Sequence, residues 1–369
     1  MIAAALLAAC AARPELIRVQ ADIGGKRIDT TVDAPIARYY AEHYVAGRRG
    51  MARWDATLEA LESAAQAAAP ETLPLGDWAR AHSPDLAALV LAQALHARFA
   101  THPVALAVRD EHDAALRARD AGALHALRVE PGALFVFVPG WLYATDPTTG
   151  ADFAAVRTRL ERHGARTLLL RTGENRSVEA NARFVARELR RLAAVERHLV
   201  VVSGSKGGPE AARALAALRD EPAGARVAAW LNVGGLLRGT PLAEAGLRWP
   251  ACWYLAAFVV PDASFEAVRS LAALARDRGD RAIEVPRGTL VVNYVGIPLS
   301  GQVTPRARDG YERLKAGGPT DGIVPVGDAI VPGALTLAEL GADHYFGDAG
   351  IGLKTLAIAR VLARIATRH

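Results

Sequence analysis

Ser205 stands where an alcohol could be turned into a nucleophile. It follows the buried-looking run Leu199-Val200-Val201-Val202, lies within Ser203-Gly204-Ser205-Lys206-Gly207-Gly208, and is followed at once by the helical pattern Pro209-Glu210-Ala211-Ala212. A strand that stops in small residues and turns directly into a helix lifts a serine hydroxyl above a parallel sheet. Small neighbours are needed because the backbone there is strained and strand and helix approach closely. The usual G-x-S-x-G pattern reads S-x-S-x-G here, so Ser203 keeps the first position small. A serine hydroxyl is a poor nucleophile until an imidazole takes its proton, and the imidazole needs a carboxylate to fix its tautomer.

On a sheet of this kind the three groups follow in the order serine, acid, histidine. Downstream of Ser205 the chain offers His344 and the terminal His369, and chain ends fray. His344, in Leu340-Gly341-Ala342-Asp343-His344, is therefore the expected base. For the carboxylate, Asp321 in Thr320-Asp321-Gly322-Ile323-Val324-Pro325 occupies a Gly-flanked loop before an apolar turn. It is favoured over Asp328, over Asp262 in a long irregular stretch, and over Asp343, which adjoins the histidine and is expected to point away from it. Charge developing on a carbonyl oxygen needs backbone N–H donors. The residue after the nucleophile, Lys206, supplies one. The loop after Phe135-Val136-Phe137-Val138, which reads Pro139-Gly140-Trp141, supplies the second through Trp141, with an ordinary turn as the competing reading. The Lys206 side chain is expected on solvent or in a salt bridge on its helix.

These residues need a scaffold, and the pattern from Ala133 onward provides one. Short apolar strands (Leu134–Val138, Thr167–Leu170, Leu199–Val202, Val227–Val233, Thr289–Val295, Leu335–Leu337) alternate with amphipathic helices (Asp152–His163, Val178–Ala194, Lys206–Leu218, Phe265–Arg278, Ile351–Thr367). Such alternation predicts a mostly parallel sheet covered on both faces, with ligands at the carboxyl ends of the strands. Gly234–Asp262 breaks the repetition; with Trp249, Trp253 and Tyr254 it reads as a lid insertion over residues 234–264. Upstream, Ile17–Val32 reads as an extended hairpin turning at Gly24-Gly25. Amphipathic runs follow near Pro35–Ala46, Met51–Ala69, Leu86–Ala100 and Val108–Ala121. The expected organisation is thus a mainly helical extension over 11–130 and a catalytic domain over 131–369.

Together, Pro139-Gly140-Trp141, Ser203-Gly204-Ser205-Lys206-Gly207-Gly208, Thr320-Asp321-Gly322-Ile323-Val324-Pro325 and Asp343-His344 resemble the α/β-hydrolase superfamily. Within it they resemble the lipase-like branch whose elbow carries Ser-Lys-Gly-Gly. The resemblance spans roughly Ala133 to the C-terminus. It implies an α/β-hydrolase fold, an oxyanion loop at Gly140-Trp141, a triad of Ser205, Asp321 and His344, cleavage of carboxylic (commonly acyl-lipid) esters, and no metal or cofactor. Two positions depart from the family pattern. Ser203 replaces the usual first glycine, and Pro139 stands where many lipases carry histidine before the oxyanion glycine. The second weakens the case for triacylglycerol as substrate. Two further functions fit the same residues: a catalytically silent binding or envelope protein on this fold, and an acyltransferase using the same triad with an alcohol or amine acceptor.

The 369 residues, 51% hydrophobic and 22% charged, suit a large globular protein. The net charge of +5 comes from scattered arginines without a basic block or interleaved aromatics, which argues against a nucleic-acid partner. The opening Met1-Ile2-Ala3-Ala4-Ala5-Leu6-Leu7-Ala8-Ala9-Cys10 resembles a lipoprotein signal (1–10) ending at a lipidated Cys10. It lacks a basic n-region and is shorter than the roughly 20 residues of a membrane span. Either residues upstream of Met1 complete the signal or the match is an accident of an alanine-rich chain. The first reading puts the protein on the cell envelope, anchored at a membrane through Cys10, with Cys252 left unpaired; the second leaves it cytoplasmic.

Overall fold

The computed structural model describes residues 15–248, 265–277, 282–347 and 350–368. Cys10, Cys252, Asp262 and the aromatic part of the expected insertion lie outside these residues.

Six parallel strands form the central sheet: β3 (Ala133–Val138), β4 (Arg166–Leu169), β5 (His198–Gly204), β6 (Val227–Val233), β7 (Leu290–Ile297) and β8 (Leu335–Leu340), in the order β4-β3-β5-β6-β7-β8. The strand ending at Ser205 is therefore interior, flanked by β3 and β6. Both faces of β3 and β5 are buried, which is why their sequences read as unbroken apolar runs instead of alternating. Most observed bounds lie within one or two residues of those expected; β8 is longer, extending to Leu340 because its end pairs with Ile297 of β7.

Helices cover the sheet on both sides. On one face, α7 (Val178–Ala193) and α8 (Gly207–Ala217) bury Val185, Leu189, Ala211 and Leu215 against Val136, Val201 and Trp230. On the other, α6 (Ala154–Arg162) and the closing α12 (Ile351–Arg368) bury Leu160, Leu356, Val361 and Leu362 against Phe135, Val200 and Ala229. A parallel sheet sandwiched in this way, with an N-terminal hairpin and helices added, is the α/β-hydrolase architecture.

The N-terminal residues contribute a hairpin, β1 (Ile17–Ile23) and β2 (Lys26–Val32), turning through Gly24 and Gly25, both at positive φ. They also contribute helices α1 (Pro35–Tyr39), α2 (Ala52–Ala67), α3 (Leu75–Ala81), α4 (Pro84–Phe99) and α5 (Pro103–Asp120). Leu86, Leu89 and Leu91 of α4 share one apolar cluster with Ile23 and Ile28 of the hairpin and with Val295, Ile297 and Leu340 of β7 and β8. Helix α4 packs against edge strand β8, and α5 packs along α12, where Glu111 accepts from both Arg360 and Arg364 at 2.6 Å.

Among the described residues, three further helices lie in the strand connections: α9 (Pro241–Arg248), α10 (Glu266–Arg276) and α11 (Pro305–Leu314). The sequence patterns above did not indicate α9 or α11. Helix α9 lies at the start of the stretch expected to be an insertion, and α9 and α10 pack together and both line the cavity at Ser205. No helix among the described residues is long and apolar enough to cross a membrane.

Candidate active site

The end of β5 dictates the geometry around Ser205. Its φ is +51°, a left-handed value that costs an L-residue of order 1–3 kcal/mol. The tight neighbours explain the small residues. A Cβ on Gly207 would lie 2.4 Å from the Val138 carbonyl oxygen and 2.6 Å from that of Pro139, and one on Gly204 would lie 2.6 Å from the Phe153 ring. Ser203 has its own reason for being there. Its fully buried Oγ accepts at 2.8 Å from the indole Nε1–H of Trp230, which is equally buried and needs an acceptor.

The three sequence-predicted groups meet. The Ser205 Oγ is 3.0 Å from His344 Nε2, and His344 Nδ1 is 2.7 Å from Asp321 Oδ2. The other carboxylate oxygen, Oδ1, accepts from the Ile323 and Val324 N–H groups at 2.8 Å each, and the His344 N–H donates to the Asp321 carbonyl at 2.9 Å. Gly322, at φ +96°, makes the turn that folds those amides back onto the carboxylate. Both side chains are nearly withdrawn from water, at 9% exposure for His344 and 3% for Asp321. Burial disfavours the imidazolium, but the Asp321 and Asp343 carboxylates outweigh it and raise the His344 pKa above its ordinary value.

The competing carboxylates are elsewhere. Asp343 points away from the imidazole: it accepts from the Thr304 N–H at 2.9 Å and the Tyr345 N–H at 3.0 Å, holding the histidine loop in shape. Asp328 lies on a short 3₁₀ turn beyond Pro325.

On the facing side, a Cβ on Gly140 would come within 3.1 Å of the Ser205 Cβ, so the loop after β3 closes directly over the serine. Among the described residues, no backbone hydrogen bond takes up the Trp141 or the Lys206 N–H. Lys206 corrects one arm of the expectation. Its side chain is not on solvent: it is 2% exposed and paired with Glu210, itself fully buried.

Sequence reasoning missed the polar row beneath the site. Ser203, Asn232, Asn293 and Thr336 are register partners on four adjacent strands. Asn232 Nδ2 donates to the Ala329 carbonyl at 2.8 Å. Asn293 Oδ1 accepts from the Val331 N–H at 3.1 Å, and its amide donates to Thr336 Oγ1 at 3.1 Å. These bonds fix the segment after Asp321 onto the sheet. The signal was a polar residue within or beside each apolar run: Ser203 and Asn232 near the carboxyl ends of β5 and β6, Asn293 in the middle of β7 and Thr336 near the start of β8.

A cavity of about 660 Å³ opens at Ser205, and its lining is overwhelmingly apolar. Phe153, Leu231 and Ile358 line it towards the sheet, Leu242 and Leu271 line it towards α9 and α10, and Trp141 and His344 lie beside Ser205. Among the described residues there is no group of three His, Cys, Asp or Glu side chains able to hold a metal.

No protein-family model and no curated protein matches the chain. Among solved structures, it is similar to a metagenomic carboxyl esterase, at 26% identity over 66% of this chain and 76% of that one, with a TM-score of 0.48. It is also similar to the mature form of a Bacillus licheniformis lipase, at 22% identity over 59% of this chain and 86% of that one, with a TM-score of 0.47.

Proposed function

We propose that the protein is a serine hydrolase of carboxylic esters, with acyl-lipid esters as the substrate class, and that residues 131–369 form its catalytic unit. One observation carries the reading: the unbroken hydrogen-bonded chain from Ser205 Oγ through the His344 ring to Asp321, at the mouth of an apolar cavity. Ser205 Oγ attacks the ester carbonyl while its proton passes to His344 Nε2, and Asp321 holds the ring and balances the imidazolium. The oxyanion is met by the N–H groups of Lys206 and Trp141. Collapse expels the alcohol, protonated by His344. A water deprotonated by the same imidazole then attacks the acyl-enzyme and releases the acid. The apolar lining suits an acyl chain and offers little to a charged one.

The test is hydrolysis of p-nitrophenyl esters of increasing acyl length, with labelling by a fluorophosphonate probe. The wild-type protein is expected to hydrolyse them and to be labelled at Ser205. Ser205→Ala should lose labelling and drop in turnover by about 10⁴-fold or more. Wild-type turnover in Ser205→Ala would refute the assignment.

A further inference from the structure

The Lys206 side chain has a place in the site that its backbone role does not explain. Lys206, Glu210 and Asn181 are all buried, at 2%, 0% and 1% exposure. The Lys206 ammonium donates to Glu210 Oε1 and lies 3.4 Å from the Gly173 carbonyl oxygen. Asn181 Nδ2 donates to Glu210 Oε1 and to the Gly173 carbonyl, each at 2.8 Å, and Asn181 Oδ1 accepts from the Gly173 N–H at 3.0 Å. The loop after β4 is thus pinned on one side to the residue following the nucleophile.

Its other side grips the loop that carries Trp141. The Tyr143 hydroxyl donates to the Thr172 carbonyl at 2.8 Å, the Thr145 N–H donates to Glu174 Oε1 at 3.0 Å, and Trp141 Nε1 lies 3.4 Å from Asn175 Oδ1. A continuous polar path therefore runs from Lys206 through Gly173 to residues 141–145, joining the two loops that flank Ser205.

Stability alone gives such a pair little reason to exist. Withdrawing an ammonium and a carboxylate from water costs several kcal/mol per ion, and apolar residues of similar volume often do as well or better. Glu210 Oε2 also has no partner among the described residues, and burial raises the Glu210 pKa against the pull of Lys206 and Asn181. Positional accuracy is what the pair can supply. Two donors must sit about 2.7–3.1 Å from one developing oxyanion, and a misplacement of roughly 1 Å can cost on the order of 10²-fold in rate.

We propose that Lys206, with Glu210 and Asn181, is a positioning residue that holds the N–H groups of Lys206 and Trp141 in register with each other. This rests on the reading of Ser205 as the nucleophile. Donors that act on the oxyanion stabilise the transition state and leave substrate binding almost untouched, so their loss shows in kcat and not in KM.

The experiment compares wild type, Ser205→Ala and the double variant Lys206→Met/Glu210→Met on one p-nitrophenyl ester, with a thermal melt of each. Removing both charges avoids stranding either one. The expected result is a melt within about 5 °C of wild type, KM within about two-fold, and kcat lower by about ten- to hundred-fold. A folded double variant with wild-type kcat overturns the proposal. If the double variant does not fold, Glu174→Ala decides, because it cuts the far end of the path near the surface. A fall in kcat at constant KM supports the path, and unchanged kcat refutes it. Wild-type activity in Ser205→Ala would instead sink the nucleophile assignment, and the positioning role with it.

Discussion

His344 works between opposing forces. Burial alone would push its pKa down and leave a weak base, while the Asp321 carboxylate at 2.7 Å pulls it up. In the proposed mechanism the free imidazole is the active form, so kcat/KM should rise with pH through an acid limb lying above the ordinary histidine value of 6.5. Asp321→Asn removes the charge that raises it. The limb should then move to lower pH, because burial is opposed only by the Asp343 carboxylate, while turnover falls by about 10³–10⁴-fold from loss of the correct tautomer. A pH–rate profile of the two proteins checks both statements. An acid limb that stayed in place would mean that Asp321 does not govern the base.

Strand ends do more than deliver single residues. Ser203 on β5 and Trp230 on β6 bond to each other on the face covered by α8, below Ser205. A glycine at 203 would fit the turn but would leave a buried indole N–H without its acceptor. Ser203→Ala and Ser203→Gly are each expected to lower unfolding free energy by about 1–3 kcal/mol in urea titrations. Glycine adds a backbone-entropy cost that alanine lacks. An unchanged urea midpoint in Ser203→Ala would show that the bond contributes nothing. The departure from the usual elbow pattern thus traces to a neighbouring strand.

The N-terminal segment is built into the molecule through buried hydrogen bonds as well as apolar packing. Asp85, at the start of α4 and fully buried, accepts from the Ser300 N–H at 2.9 Å, the Tyr311 hydroxyl at 3.1 Å and the Asp33 N–H at 2.7 Å. Burial, reinforced by the Asp33 charge, lifts its pKa from 3.8 to about 7. In that window the native state holds a proton that the unfolded chain has released. Stability is therefore fully present below the unfolded value and drains away as pH rises towards 7, with a slope of at most about 1.4 kcal/mol per pH unit. Asp85→Asn cannot ionise, and its unfolding free energy should stay flatter than that of wild type between pH 4 and 7. Chemical denaturation at several pH values tests this; parallel curves for the two proteins would rule it out.

Much of the site was legible in the chain. An apolar run ending in small residues before a helix can place a serine in few ways, and the order of serine, aspartate and histidine follows from strands laid side by side. Those signals are local, so they are present in the chain before it folds. The folded chain decided what depends on partners far apart in sequence. A lysine and a glutamate one helical turn apart read as a solvated surface pair, and only the packing of α7 over α8 buries Lys206 and Glu210. Ser300 lies 215 residues from Asp85, and nothing near either residue announces their bond. Burial and long-range pairing belong to the assembled tertiary structure, because the energy of a polar group is set by what surrounds it and not by its neighbours along the chain.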